Sequence, residues 1–295
     1  MNEILNNDNI FQKNTVSADK INTAKNLPTT KHVIHIKHVI CIKWGVKYSP
    51  SDVNILFAMV KRNTAKNALK FHCFTDDAQG LNPEIIAHPL PEINLQNPDD
   101  LKYVYRKEVG LCDDALGGLH SGLQGERVFF FDLDVIITDN LDCLFDYPKD
   151  DEFVIINDWN SKGDKIGQAS CYSWRVGTLG FVKADFEARP KEVVAQYFTA
   201  SQEYLSAKVI EKYGELKFWP EQWCVSFKQH AIAPWWLRLW VAPKLPAGAK
   251  LLAFHGDPKI ADAIAGRWAE AGQPFYKKIY KNILPSPWLA DYWRE

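Results

Sequence analysis

Val128-Phe129-Phe130-Phe131-Asp132-Leu133-Asp134-Val135-Ile136-Ile137 carries the strongest structural signal in the sequence. Large apolar residues lead into it and follow it, so it reads as a buried strand carrying two carboxylates. In an extended chain residues i and i+2 point to the same side, which sets Asp132 beside Asp134 and turns Leu133 away. Two carboxylates among apolar residues are costly unless something compensates them. A hard divalent cation, Mn²⁺ or Mg²⁺, suits carboxylate oxygens and can bridge them to phosphate. The plainer reading is that both aspartates sit at a strand end and cap a turn in water. An isolated D-x-D is common by chance.

On either side of it, segments alternate between strand and helix periods. Residues 38–43 read as a buried first strand. Ser49-Pro50 is a helix-start signal, and Val53, Leu56, Phe57 and Val60 then mark one helical face. Leu69 to Phe74 reads as a second strand, Ile85–Pro89 as a short one and 101–116 as a helix. Beyond the D-x-D, Phe153–Ile156 and 176–182 read as strands and 190–213 as one long helix. A last strand at Leu251–Phe254 precedes a helix at 259–271. This order implies an α/β fold around a mostly parallel sheet. No linker divides the ordered part, so residues 31–273 read as one domain after a disordered tail at 1–30 and before an aromatic and basic extension at 274–295.

The composition is that of a soluble globular chain: 295 residues, 46% hydrophobic and 24% charged, with a net charge of −1. Such a chain can bury a large core without disulfides. The near-zero total excludes a whole-protein field for nucleic acid, yet it hides a segregation. Residues 1–70 carry +7, 71–170 carry −13 and 227–295 carry +5. The six cysteines lack any C-x-x-C spacing and read as free thiols of a reducing cytoplasm. His32, His35 and His38 read as tail or surface groups. The longest apolar-dominated stretch, Ala231 to Pro243, is broken by Pro234 and Arg238 and is far short of the ~20 residues that span a bilayer.

Two further segments bear on the carboxylate pair. Phe254-His255-Gly256-Asp257-Pro258-Lys259 follows an apolar strand, offering an imidazole for a metal and a lysine for a diphosphate. Trp219-Pro220-Glu221-Gln222-Trp223 sets polar groups among aromatics, as carbohydrate sites often do. Each alone also reads plainly, as a Gly-Asp-Pro turn and as an aromatic core edge. No G-x-G-x-x-G and no G-x-S-x-G elbow occurs.

Taken in order, C-I-K-W-G-V-K-Y-S at 41–49, F-T-D-D at 74–77, Y-R-K at 105–107, F-F-F-D-L-D at 129–134, N-D-W-N at 157–160, E-Q-W at 221–223 and F-H-G-D-P-K at 254–259 form a specific set. The sequence resembles the bacterial glycosyltransferases of the GT-A fold related to glycosyltransferase family 8. That resemblance implies a single Rossmann-like nucleotide-diphospho-sugar transferase domain and a role in polysaccharide biosynthesis. It implies transfer of a hexose, from a UDP-sugar foremost, to a glycan or lipid-linked acceptor with retention. Asp132, Asp134 and His255 would hold Mn²⁺ or Mg²⁺, and Lys259 would neutralise the departing diphosphate. Trp44, Gly45, Tyr48, Asp76, Asp77, Arg106, Lys107 and Leu133 would lie along the donor, and Glu221 and Gln222 would contact the transferred sugar. Glu221 departs from the Asp usual there, and Ile260-Ala261 replaces the Pro-Trp that often follows the lysine.

Two other classes compete. A haloacid-dehalogenase-like phosphatase also uses an apolar strand ending in D-x-D, but prefers Gly-Thr where Val135-Ile136 stands. A non-catalytic carbohydrate-binding protein would explain 11 Trp and 11 Tyr, but needs no buried D-x-D. The expected location is cytoplasmic, with 274–295 either resting peripherally on the inner face of an anionic membrane or packing onto the domain.

Overall fold

The structure is a computed structural model that describes residues 36–65, 69–161, 163, 165–198, 200–268 and 281–295. The tail at 1–30, His32, His35 and residues 274–280 lie outside the described residues.

The first strand, β1 (Lys37–Lys43), alternates as its sequence demands: Val39 and Cys41 enter one core cluster, Ile40 and Ile42 the other. The first helix, α1 (Pro50–Arg62), opens with a capping box. The Ser49 side chain accepts from the Asp52 backbone N–H, and the Asp52 carboxylate accepts from the Ser49 backbone N–H at 2.7 Å. Its buried face is Val53, Leu56, Phe57, Met59 and Val60. There follow β2 (Leu69–Thr75), β3 (Ile86–His88), α2 (Tyr105–Gly110), β4 (Arg127–Phe131), β5 (Val135–Ile137) and α3 (Asp142–Asp146). Next come β6 (Val154–Asn157), β7 (Gly167–Arg175), α4 (Gly180–Ala188), α5 (Pro190–Gln196) and α6 (Ser201–Tyr213). The chain continues through β8 (Lys217–Phe218), β9 (Cys224–Ser226), a π-helical turn (Phe227–Ala231), β10 (Leu251–Ala253), α7 (Ile260–Ile264) and α8 (Leu289–Tyr292).

The main sheet has the order β3-β2-β1-β4-β7-β6-β8 and is parallel except for β7, which runs antiparallel to both neighbours. A smaller sheet, β5-β10-β9, stands beside it. Helices cover both faces of the main sheet, giving the α/β fold expected. Phe129 and Phe131 face the cluster that holds α1 and the small sheet, whereas Val128 and Phe130 face α2, α4 and α6.

Several expectations are corrected. The D-x-D does not lie within one strand: Asp132 to Asp134 form a turn, where the chain leaves the main sheet at Phe131 and enters the small one at Val135. The helix expected over 101–116 shrinks to Tyr105–Gly110, because the chain beyond it turns through Gly117 and Gly118, both at positive φ. Residues 176–182 are not a strand; the strand is Gly167–Arg175, whose interior Gln168, Ser170 and Ser173 are buried polar residues that hide the apolar pattern. The long helix at 190–213 is two helices, since Tyr197 and Ala200 leave helical geometry. The helix expected over 259–271 is described as α7 alone.

The C-terminal residues described here pack onto the core. Leu289 is fully buried, Trp288 Nε1 donates to Pro243 O at 3.0 Å, and the Arg62 guanidinium donates to the carbonyls of Tyr292 and Arg294 at 2.8 Å. Removing residues 274–295 would therefore open the core.

His38 is likewise not a surface group. It is 2% exposed, and a chain of imidazoles crosses the sheet edge from it: His38 to His72 at 3.1 Å, His72 to His88 at 2.9 Å. Burial lowers all three pKa values, His72 to about 3; at His72 the neighbouring His88 and His38 and then Lys70 add to the depression, whereas at His38 Glu126 opposes it and Lys70 adds to it. A folded-state pKa below the unfolded value means that the unfolded chain binds more protons in acid. Stability therefore falls as pH drops below about 6.5, before ordinary carboxylates titrate. Calorimetry should show Tm declining between pH about 6.5 and about 5. A level Tm across that window would contradict neutral imidazoles.

Candidate functional site

The parallel strands β1, β2 and β4 end together, and the loops beyond their carboxyl ends build the site. This is the edge where open α/β sheets bind ligands. Gly45, at φ +62°, turns the chain after β1 and donates its N–H to Asp76 Oδ2 at 2.8 Å, tying two loops together. Asp77 is spent locally: its Oδ1 accepts from Gln79 N at 2.8 Å, while its backbone carbonyl accepts from Thr75 Oγ1 at 2.9 Å. Trp44 packs on Tyr103 with ring centroids 4.8 Å apart.

Between these loops lie the two aspartates. The Asp132 N–H donates to Ser170 O and the Phe254 N–H donates to Asp134 O, each at 2.9 Å, so backbone bonds to β7 and the end of β10 fix the turn. Leu133 is buried, which leaves the flanking carboxylates on the cleft side. Lys107 Nζ donates to Asp132 Oδ2 at 2.8 Å and lies 3.2 Å from Glu108. Burial works to lower the Lys107 pKa, but Asp132 and Glu108 outweigh it and hold the ammonium above its ordinary range. Of the expected pair Arg106-Lys107, it is Lys107 that reaches the aspartate.

Asp134 accepts from Tyr48 Oη at 2.9 Å. Burial and then the Asp132 charge push its carboxyl up to about 6, against the pull of Tyr48, Lys107 and Lys47. The Tyr48 phenol is itself raised, by burial and by Asp134. A cleft of about 260 Å³ has Asp134, Leu133, Tyr48, Lys47 and Lys259 in its wall. Both signs of charge thus line one cleft.

A second, wider cleft of about 600 Å³ has Asp158, Trp159, Glu221, Gln229 and His230 in its wall. Asp158 is 7% exposed; its Oδ2 accepts from Ser161 N at 2.9 Å, and its Oδ1 is buried without a partner. Glu221 faces this cleft. Gln222 lies instead beside Gly248.

His255 is drawn toward this second cleft. Its Nε2 lies 2.7 Å from Ser226 Oγ and its ring stacks on Trp159 at 5.5 Å. Burial, then Lys228, lowers its pKa. The expected three-ligand set is therefore not assembled: among the described residues no group of three His, Cys, Asp or Glu converges as a metal shell. The two carboxylates do fit a hard cation, because Mg²⁺ and similar ions are commonly held by one or two carboxylates with substrate phosphates completing the shell. Reading the sequence alone missed Lys47, Tyr103, Trp159 and His230. The N-D-W-N run flagged the region of Trp159 and the run at 41–49 contains Lys47, but nothing local marks Tyr103.

The raised Asp134 carboxyl carries a cost in stability. A carboxylate whose folded pKa lies above its unfolded value destabilises the fold above that folded value, about 6, and costs nothing below the unfolded one, 3.8. Asp134→Asn keeps the acceptor for Tyr48 and removes the charge. It should raise stability at neutral pH by about 1–3 kcal/mol, with no gain below pH about 4. Denaturant melts at the two pH values read this directly, and an unchanged or lower stability at neutral pH would contradict it.

No family profile matches the sequence, and no curated protein is similar to it in sequence. The fold does have solved relatives. The galactosyltransferase LgtC, in complex with donor and acceptor sugar analogues, aligns over 76% of this chain and 89% of its own at a TM-score of 0.50 and 12% identity. An active-site mutant of LgtC aligns over 86% and 95% at 0.51 and 10% identity. At such identities the likeness shows that the two chains share the GT-A type of α/β fold.

Proposed function

We propose that this chain is a metal-dependent glycosyltransferase that moves a hexose from a nucleotide-diphosphate sugar, with a uridine nucleotide preferred, to a glycan or lipid-linked acceptor in the cytoplasm. The observation that carries the reading is the junction of β4 and β5. There two carboxylates, one of them half-buried and raised, share an edge with Lys47, Lys107 and Lys259. A lone cation site would not need the lysines, and a lone anion site would not tolerate the aspartates. A diphosphate bridged by a divalent cation asks for both.

A cation held by Asp132 and Asp134 would supply Lewis-acid charge to the leaving diphosphate. The chain's own residues do the rest. Lys259 and Lys47 lie where negative charge develops on the leaving group, and preorganised charge of that kind is worth most in a partly buried cleft. Trp44, beside Tyr103 at the mouth of the loops, offers a stacking face for a base. Tyr48 orients the Asp134 carboxylate. The wide cleft suits the sugars: Trp159 gives an apolar face, and Glu221 and Asp158 give acceptors for hydroxyl groups. Retention follows the family resemblance, with the leaving phosphate taking the acceptor proton. In an inverting reaction Asp158 or Glu221 would take it instead.

Neither the phosphatase nor the binding-module reading is favoured by any observation at the site. A panel of nucleotide sugars with Mn²⁺, scored for donor hydrolysis, tests the proposal. A uridine or guanosine diphosphate sugar should be hydrolysed, and Asp132→Ala should lower the rate at least ~100-fold. Metal-dependent hydrolysis that survives Asp132→Ala, or none with any donor, would overturn it.

A further inference from the structure

The π-helical turn Phe227–Ala231 supplies Gln229 and His230 to the wall of the wide cleft, and directly after it the chain leaves the core. Ile232 is buried, Pro243 is buried, and Lys244 N donates to Ala231 O at 3.0 Å, closing the base of the loop between them. Trp288 Nε1 holds the same base through Pro243 O at 3.0 Å. Within the loop the Leu237 N–H donates to Pro234 O at 2.8 Å, and the Trp240 and Val241 N–H groups both donate to Leu237 O at 2.9 Å. The segment is thus an internally bonded surface loop.

Its exposed side chains run against the usual rule. Trp235 is 55% exposed, Trp236 57%, Leu239 59% and Trp240 73%, with Leu237 and Val241 also exposed. A contiguous apolar patch of this kind marks an interaction surface. The one charged residue in the loop, Arg238, turns inward: its Nε donates to Ala233 O at 2.9 Å and its guanidinium lies 4.9 Å over the Trp268 ring. The outward surface is left to tryptophan and aliphatic side chains. From Phe227 to Gly256 there is no Asp or Glu, and Lys244 stands exposed at the loop base.

We propose that residues 235–241 insert into the interfacial layer of an anionic lipid bilayer, seating the wide cleft at the membrane surface. Tryptophan favours the headgroup region because its ring is apolar and its indole N–H is polar. Interfacial binding grows with apolar area buried plus attraction to anionic lipid, and the loop and its acid-free flanks supply the two together. No helix among the described residues is long and apolar enough to cross a membrane, so a seat of this kind is a surface contact. The proposal does not rest on the transferase reading, and it assigns the contact to this loop rather than to 274–295.

The test is co-sedimentation of the full chain with vesicles of phosphatidylcholine, with and without phosphatidylglycerol. Binding is expected to the anionic vesicles and to be weaker to the neutral ones. A double variant, Trp235→Ser with Trp240→Ser, should bind roughly tenfold or more weakly. Leu239→Gln should weaken binding by a smaller factor. Both should keep the parental Tm, because the replaced side chains are solvent-exposed. Failure of the parent chain to bind anionic vesicles would overturn the proposal. So would equal binding by the double variant, or a parent dimer that the variant dissolves without any vesicle binding.

Discussion

The rest of the structure is arranged around the cost of holding Asp132 and Asp134 side by side. Phe131 and Val135 are fully buried, so the two carboxylates are suspended between apolar anchors that do not let them retreat into water. Burial, and then their mutual repulsion, raises the Asp134 carboxyl. The chain offsets part of it with Lys107 on one aspartate and the Tyr48 hydroxyl on the other. These partners come from α2 and from the loop after β1. The edge of the main sheet is thereby built to serve a charge pair that folding alone would not favour.

The turn also joins two sheets. Backbone bonds from β7 and from the end of β10 clamp it, which couples the D-x-D to the segment that leads from β10 into His255. From there the segment 255–259 runs between the two clefts, with His255 beside Trp159 and Lys259 beside Asp134. His255 Nε2 is engaged by Ser226 Oγ at 2.7 Å. The acidic middle of the chain and its basic end meet here, at Asp134 and Lys259, although most of those charges are simply solvated surface.

Much of this was legible in the sequence, and the failures have physical causes. The strand β1, the capped helix α1 and the phenylalanines of β4 carry apolar periods too regular to misread. The strand β7 was hidden because its Gln168, Ser170 and Ser173 are buried and bonded, which no hydrophobic pattern reports. The break after α5 depends on backbone geometry at Tyr197 and Ala200, where the sequence has no proline or glycine. His38 looked exposed because its partners, His72 and His88, are far along the chain. At the site, the aspartates, Tyr48, Lys107 and Lys259 were named from local motifs. Tyr103 enters only through its contact with Trp44 from a distant loop, whereas Lys47 and Trp159 lie inside quoted runs and are singled out by the clefts they line. Arg106 and Gln222 stand beside Lys107 and Glu221 in the sequence, and only side-chain direction tells which member of each pair reaches the aspartate or lines the wide cleft.

The most direct measurement is a crystal structure of the chain grown with Mn²⁺ and uridine diphosphate, with anomalous scattering recorded for manganese. The manganese signal is expected on the Asp132 and Asp134 carboxylates, with the diphosphate reaching toward Lys259. A manganese site elsewhere, or a diphosphate bound away from these aspartates, would contradict it.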